Sequence, residues 1–160
     1  LEALAEFHEE GRYEHIKLYE LQENFEGFVE KLNENKPYKD EAFEDWVELV
    51  PQTVLWFVKE DFFIGALTIR HRLNWHLEKW GGHVSFVIRP SMRGKGFGKK
   101  ILQKGIPYIC YFGIDKALLT VSLENESAGK VIEFCGGVLE GETTATQQFP
   151  AQKRYWLECT

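Results

Sequence analysis

Nothing in the chain is apolar for long enough to cross a bilayer, and no signal-peptide pattern opens it, so neither a membrane association nor export is expected. Cysteine is scarce. Cys110, Cys135 and Cys159 stand far apart and are odd in number, which suits neither a metal site nor a disulfide framework. A reducing cytoplasm is the expected compartment. Repeats and low-complexity linkers are absent. Positive charge is scarce too, and concentrated in one loop. Residues 1–50 carry 15 acids against 5 Lys/Arg, a local balance of −10 within a net charge of −6. A nucleic-acid ligand is not expected, because a phosphate backbone demands an extended basic face. The acidic half reads as solvated helix faces, with a rim that attracts cations as the sharper alternative.

What the chain does have is apolar material for one core. Its 160 residues are 44% hydrophobic and 14% aromatic, and residues 1–160 read as a single domain. Residue 1 is Leu, not Met, which points to a trimmed start with a first strand upstream. Periodicity predicts amphipathic helices over Leu1–Glu10, Leu18–Leu32 and Asp40–Val50, the last with Phe43, Trp46, Val47 and Val50 on one side. Strands are predicted at Val54–Lys59 and Phe62–Arg70, a hairpin turning at Glu60 and Asp61. Further strands are predicted at His83–Arg89, Ala117–Ser122, Val138–Leu139 and Arg154–Glu158, with the polar loop Gly141–Lys153 before the last. A helix over Gly98–Phe112 contains Pro107, which costs about 3 kcal/mol or forces a kink. Another opens at Glu124–Ser127, shows Ala128, Val131, Ile132 and Cys135 on one face and closes at Gly136 and Gly137. The fold class that follows is α+β, a mixed, mostly antiparallel central sheet flanked by helices.

Ile88 to Lys100 is the most informative stretch: a strand ends at Pro90, and a loop rich in glycine and cations runs straight into a helix. Gly94, Gly96 and Gly98 let main-chain N–H groups converge, and the helix N-terminus adds orphan donors and a positive dipole end. Arg93, Lys95, Lys99 and Lys100 add charge, with no acid between Arg89 and Lys104. This is the pattern of a diphosphate cradle, or of a glycine-rich turn before a solvated basic helix start. Two well-known phosphate patterns fail. The nucleotide phosphate loop would place glycine at Arg93 and a hydroxyl at Lys100, and the dinucleotide fingerprint would place glycine at Lys99 or Ile101.

Arg-x-x-Gly-x-Gly directly after a strand does fit, at Arg93, Gly96 and Gly98. Downstream, Asn125, Ser127 and Ala128 stand before an apolar helix and Gly136. In this order, the two motifs resemble the coenzyme A loop and the following helix of the GNAT N-acetyltransferase family. Ile69–Asn74, Gly81–His83, Val131–Glu133 and Arg154–Trp156 extend the resemblance over most of the chain, to a little-characterised subgroup of predicted acetyltransferases.

The resemblance implies an acyl-CoA acyltransferase fold and an acetyl-CoA-dependent transfer to an amine of a small molecule or peptide; it leaves a homodimer open. The cofactor would lie between Val84–Ile88 and Leu118–Ser122, against Phe86, Val87 and Ile88, with Arg93, Gly94, Lys95, Gly96, Phe97, Gly98 and Lys99 on the pyrophosphate and Asn125 and Ser127 beside it. A neutral amine would attack the thioester directly. Many relatives carry a Tyr acid seven residues after the Asn; here that place is Ile132, which reads as core. His83 stands where many relatives have a Glu base, and an imidazole accepts protons near neutral pH. Its alternative is a hydrogen-bonded structural role. Tyr155 is a second acid or base candidate, against a packing role. His8 and His15 read as surface residues, His76 as packed between Trp75 and Trp80, and His71 as a strand-end residue. No metal is implied. A non-catalytic acyl-CoA-binding or sensing module remains the alternative.

Overall fold

The computed structural model describes residues 1–33 and 50–160 of the chain. The N-terminal part forms α1 (Glu2–Glu9), α2 (Leu18–Glu23) and α3 (Phe25–Asn33). The single helix expected from Leu18 to Leu32 is therefore two. Asn24 leaves the helical region (φ −144°, ψ 66°) and its Oδ1 accepts from Gly27 N–H at 3.0 Å, capping the second helix. The expected helix carrying Phe43, Trp46 and Val47 lies outside the described residues.

β1 (Gln52–Lys59) and β2 (Phe62–Arg70) form the expected hairpin, with Lys59 opposite Phe62 and Glu60 at φ 54° in the turn. β2 then pairs with β3 (Val84–Ile88), Leu67 facing Phe86. A 3₁₀ turn, Pro90–Met92, leads to α4 (Phe97–Tyr111), which runs through Pro107 without ending. β4 (Lys116–Ser122), α5 (Glu126–Phe134), β5 (Val138–Glu142) and β6 (Gln152–Glu158) complete the chain. β5 is longer than the expected Val138–Leu139, because its pairing with β6 continues past a bulge beside Glu140.

Among the described residues the strands form two antiparallel sheets of three, ordered β1-β2-β3 and β4-β6-β5. They touch where Gly82 bridges Leu119. α4 packs against β2 and β3 of the first sheet and α5 against the second, and the two helices touch each other. Leu67, Ile69 and Val84 of the first sheet and Ala117, Leu119, Tyr155 and Leu157 of the second share a core with Ile101, Leu102 and Ile109 of α4 and Ile132 of α5. Each large apolar side chain buried there contributes about 1.5–3 kcal/mol.

One expectation from the cysteines is corrected. Cys110, in the last turn of α4, and Cys159, just past β6, form a disulfide with α-carbons 5.6 Å apart. Cys159 N–H donates to Asp115 O at 2.8 Å, extending the β4–β6 pairing by one residue; a separation of 49 residues gave no hint of the disulfide. Cys135 is free. No helix among the described residues is long and apolar enough to cross a membrane, and no group of His, Cys, Asp and Glu among them could hold a metal.

Candidate functional site

β3 and β4 meet at one end only; beyond it no ladder joins them among the described residues. Gly81, Gly82 and His83 build the junction against Leu118, Leu119 and Thr120. Gly82 has φ +63°, and a Cβ there would collide with the Leu118 carbonyl, so this close approach of two backbones requires glycine. His83 N–H donates to Leu118 O at 2.7 Å, and Leu118 N–H donates to His83 Nδ1 at 2.9 Å. Gly81 N–H donates to Thr120 Oγ1 at 2.6 Å, while Arg70 donates to the Gly81 and Gly82 carbonyls at 3.3 and 3.2 Å.

Past the junction each strand has one edge that pairs with no other strand among the described residues, although the Ile88 carbonyl accepts from Arg93 Nε. Arg89 N–H donates to Ile64 O and Arg70 N–H to His83 O, so odd-numbered residues of β3 face β2. By alternation, the main-chain groups of Val84, Phe86 and Ile88 face the parting, and Val87 turns its own to Ala66. On β4, Leu123 N–H donates to Ala151 O, so beyond Leu118 (used by His83) Thr120 and Ser122 turn their main-chain groups to the same space, the Ser122 carbonyl already accepting from Asn125 N–H. The parting is lined on both sides by strand edges, a surface able to bind an extended arm that carries amides.

The loop lies at the far end of β3. Gly94 and Gly96 have φ +72° and +80°, and an added Cβ at either would meet nothing within 4 Å. Among the described residues no hydrogen bond engages the main-chain N–H groups from Gly94 to Lys99; the first helical bond runs from Lys100 N–H to Gly96 O at 3.4 Å. A run of free donors at the start of a 15-residue helix is an arrangement able to hold an anion. Lys95 Nζ donates to Ser91 O at 2.9 Å, and Lys99 Nζ sits 3.9 Å above the Phe134 ring. The Phe97 ring packs 6.3 Å from that of Phe57. Asn125 caps α5, its Oδ1 accepting from Ala128 N–H at 3.1 Å, and Ser127 is exposed in the next turn. Free N–H groups for a diphosphate and free strand edges for an amide arm fit coenzyme A.

The proton-transfer candidates are differently placed. His83 Nδ1 accepts from Leu118, so the one proton of the neutral ring belongs on Nε2 and no lone pair is left to accept another. Burial first, and the Arg70 charge second, push its pKa down. Tyr155 is 1% exposed and donates to Glu133 Oε1 at 3.2 Å beneath α5; burial and that bond push its pKa up. Both geometries favour holding the fold over moving protons. His71 bonds Thr53 Oγ1 at 2.8 Å and stacks on Phe112, and His76 is buried beside Trp80. Ile132 is fully buried, as core.

Sequence reasoning missed Glu6, Glu10 and Glu133. Glu10 accepts two bonds from the Arg93 guanidinium, at 2.6 and 2.9 Å, and Glu6 bonds Arg89 and Ser91. For Glu6 and Glu10 the available signal was a row of acids four residues apart along α1 and its C-cap; their partners, 83 residues away, carry no local mark, and neither does Tyr155, 22 residues from Glu133.

The sequence model of the acetyltransferase (GNAT) domain family matches residues 7–138. No curated protein matches the chain. Solved structures of similar fold include an acetyltransferase of the GNAT family from Streptococcus pneumoniae, with 19% identity, TM-score 0.56, and coverage of 86% of this chain and 76% of that one. A chimera of the spermidine N-acetyltransferase SpeG from Vibrio cholerae and hSSAT has 22% identity and TM-score 0.51, with 68% of this chain and 66% of that one covered. The self-immunity acetyltransferase MccE, solved with acetyl-CoA and AMP, has 14% identity and TM-score 0.52 over 67% of this chain and 61% of its own. The chain thus spans somewhat under two thirds of the length of the last two. With most of its length matched by the family's model, and with a fold shared with these enzymes, the chain belongs to the acetyltransferase (GNAT) family, whose enzymes draw on acetyl-CoA.

Proposed function

We propose that the chain transfers an acetyl group from acetyl-CoA to a primary amine of a small molecule or peptide, with a cationic, polyamine-like acceptor as the favoured class. The observation that carries the reading is the run of unbonded N–H groups from Gly94 to Lys99 beside two free strand edges. Acetyl-CoA supplies a thioester reactive toward neutral amines. Gly94 to Lys99 would hold its diphosphate, with Lys95 and Lys99 adding charge at the rim. Phe86 and Ile88 from β3 and Thr120 from β4 would pair with the amide arm. Asn125, whose Oδ1 is used in capping, keeps its amide nitrogen for a carbonyl of the same arm. The proton released by the amine passes to solvent, because the only lone pair of the neutral His83 ring is used and Tyr155 is turned to Glu133. The polyamine preference rests on the −10 balance of residues 1–50 and on one structure of the same fold being named a spermidine N-acetyltransferase.

A second reading, an acyl-CoA-binding module without turnover, is favoured by one observation: the place of the usual acid is the fully buried Ile132. Thiol release from acetyl-CoA, measured against a panel of polyamines, peptide amines and neutral or acidic amines, separates the two. Accelerated release with polyamines is expected. Tight CoA binding with no acceleration by any amine would establish the module instead.

A further inference from the structure

The first helix and the cofactor loop are bolted together. Glu2, Glu6 and Glu10 recur every four residues, one row along α1 and its C-cap. The row meets Arg89, Ser91 and Arg93, alternate residues of the turn that precedes the glycines. Glu6 accepts from Arg89 Nε at 2.8 Å, from Ser91 N–H at 3.0 Å and from the Ser91 hydroxyl at 3.0 Å. Glu2 adds a 3.4 Å contact to Arg89. Arg89 is 5% exposed, with its guanidinium 4.1 Å above the Phe62 ring. Phe7, 4% exposed, anchors the apolar side of the same helix.

Every nitrogen of Arg93 is engaged, through three of its five N–H groups. Nε donates to Ile88 O at 3.1 Å, and the two terminal nitrogens donate to the two oxygens of Glu10. A bidentate guanidinium–carboxylate pair fixes the direction of both partners. The Ile88 bond meanwhile ties the loop back to the last residue of β3. The side chain is thereby held between α1 and the end of β3.

We infer that α1 is the brace of the cofactor loop, and that Arg93 with Glu10, and Arg89 with Glu6, are positioning residues that orient Gly94–Lys99 instead of contacting phosphate. The inference rests on reading that loop as the diphosphate site. The buried pair, Glu6 with Arg89, holds the helix down. The exposed pair, Glu10 with Arg93, sets the angle at which the turn enters the glycines. The main-chain donors are left to bind the anion.

A charge swap tests it. Glu10→Arg, Arg93→Glu and the double variant would be compared by CoA titration calorimetry and by amide exchange over residues 2–9 without cofactor. Each single change is expected to weaken CoA about tenfold and to quicken exchange in α1, while the double variant returns to within about threefold of wild type with α1 protected again. Glu10→Gln, which adds no repulsion, should show the same direction with a smaller loss, and covers the case of a single variant that folds poorly. A double variant as weak as Arg93→Glu alone would make Arg93 a direct phosphate ligand and overturn the brace. So would unchanged α1 exchange in both single variants. Wild-type protein that binds no CoA would sink the cofactor reading, and the exchange in α1 would still decide whether the bolt exists.

Discussion

At neutral pH the His83 ring is uncharged, since burial and the Arg70 charge hold its pKa below the usual histidine value. Its Nδ1 joins the two sheets through Leu118 N–H, and asparagine can offer an oxygen at a similar place. His83→Asn should therefore keep turnover well inside the ~10²–10⁴-fold loss that follows removal of a positioned base. A loss in that range, with a neutral-pH ionisation gone from the rate profile, would make His83 the base. Glu6 carries a second residue-scale prediction. The hydrogen bond from Arg89 holds its carboxyl at about 2, below its ordinary 4.5, against a smaller upward push from burial. A lowered folded pKa stabilises fully above pH 4.5, and that contribution is lost as pH falls toward 2. Over that window the melting temperature of wild type should fall toward that of Glu6→Gln; a constant gap between the two would contradict the pair. The glycines of the loop and the cap at Asn125 were legible in sequence because their chemistry is local. The partners of Arg93 and Tyr155 were not, because 83 and 22 residues separate them from Glu10 and Glu133.

At the scale of elements, the segments with strong periodicity came out as expected: the β1–β2 hairpin, α4 and α5 all stand close to their predicted bounds. α2 and α3 did not, because the apolar pattern runs on through Asn24 while its side chain caps a new helix. α5 offers a clean test of what Asn125 does. Its Oδ1 satisfies Ala128 N–H, so Asn125→Ala should cost about 0.5–2 kcal/mol, read as a lower melting temperature. If the amide nitrogen also holds the cofactor, the loss should be larger when CoA is present. An equal fall with and without CoA leaves a cap and removes Asn125 from the binding site. Neither the break between two sheets nor the Cys110–Cys159 link could be seen from periodicity, since both are set by how distant elements pack.

For the whole molecule, the mostly antiparallel strands are divided among the described residues into two sheets that touch at Gly82 and Leu119, and the parting between them is the proposed binding space. Charge is divided as well: the cations of the loop lie at one end of the parting, and the N-terminal half is acidic. An acceptor drawn by that acidic half should bind more weakly as salt is added, because exposed charges are screened over about 8 Å at physiological ionic strength. Best substrates that are neutral or acidic, with no salt effect on their apparent affinity, would remove the cationic preference and leave the transfer itself standing. The placement of coenzyme A is tested most directly by amide exchange with and without saturating CoA. Slower exchange is expected at Gly94–Lys99, along Val84–Ile88 and along Leu118–Ser122. No protection at millimolar CoA, or protection confined to other segments, would contradict it.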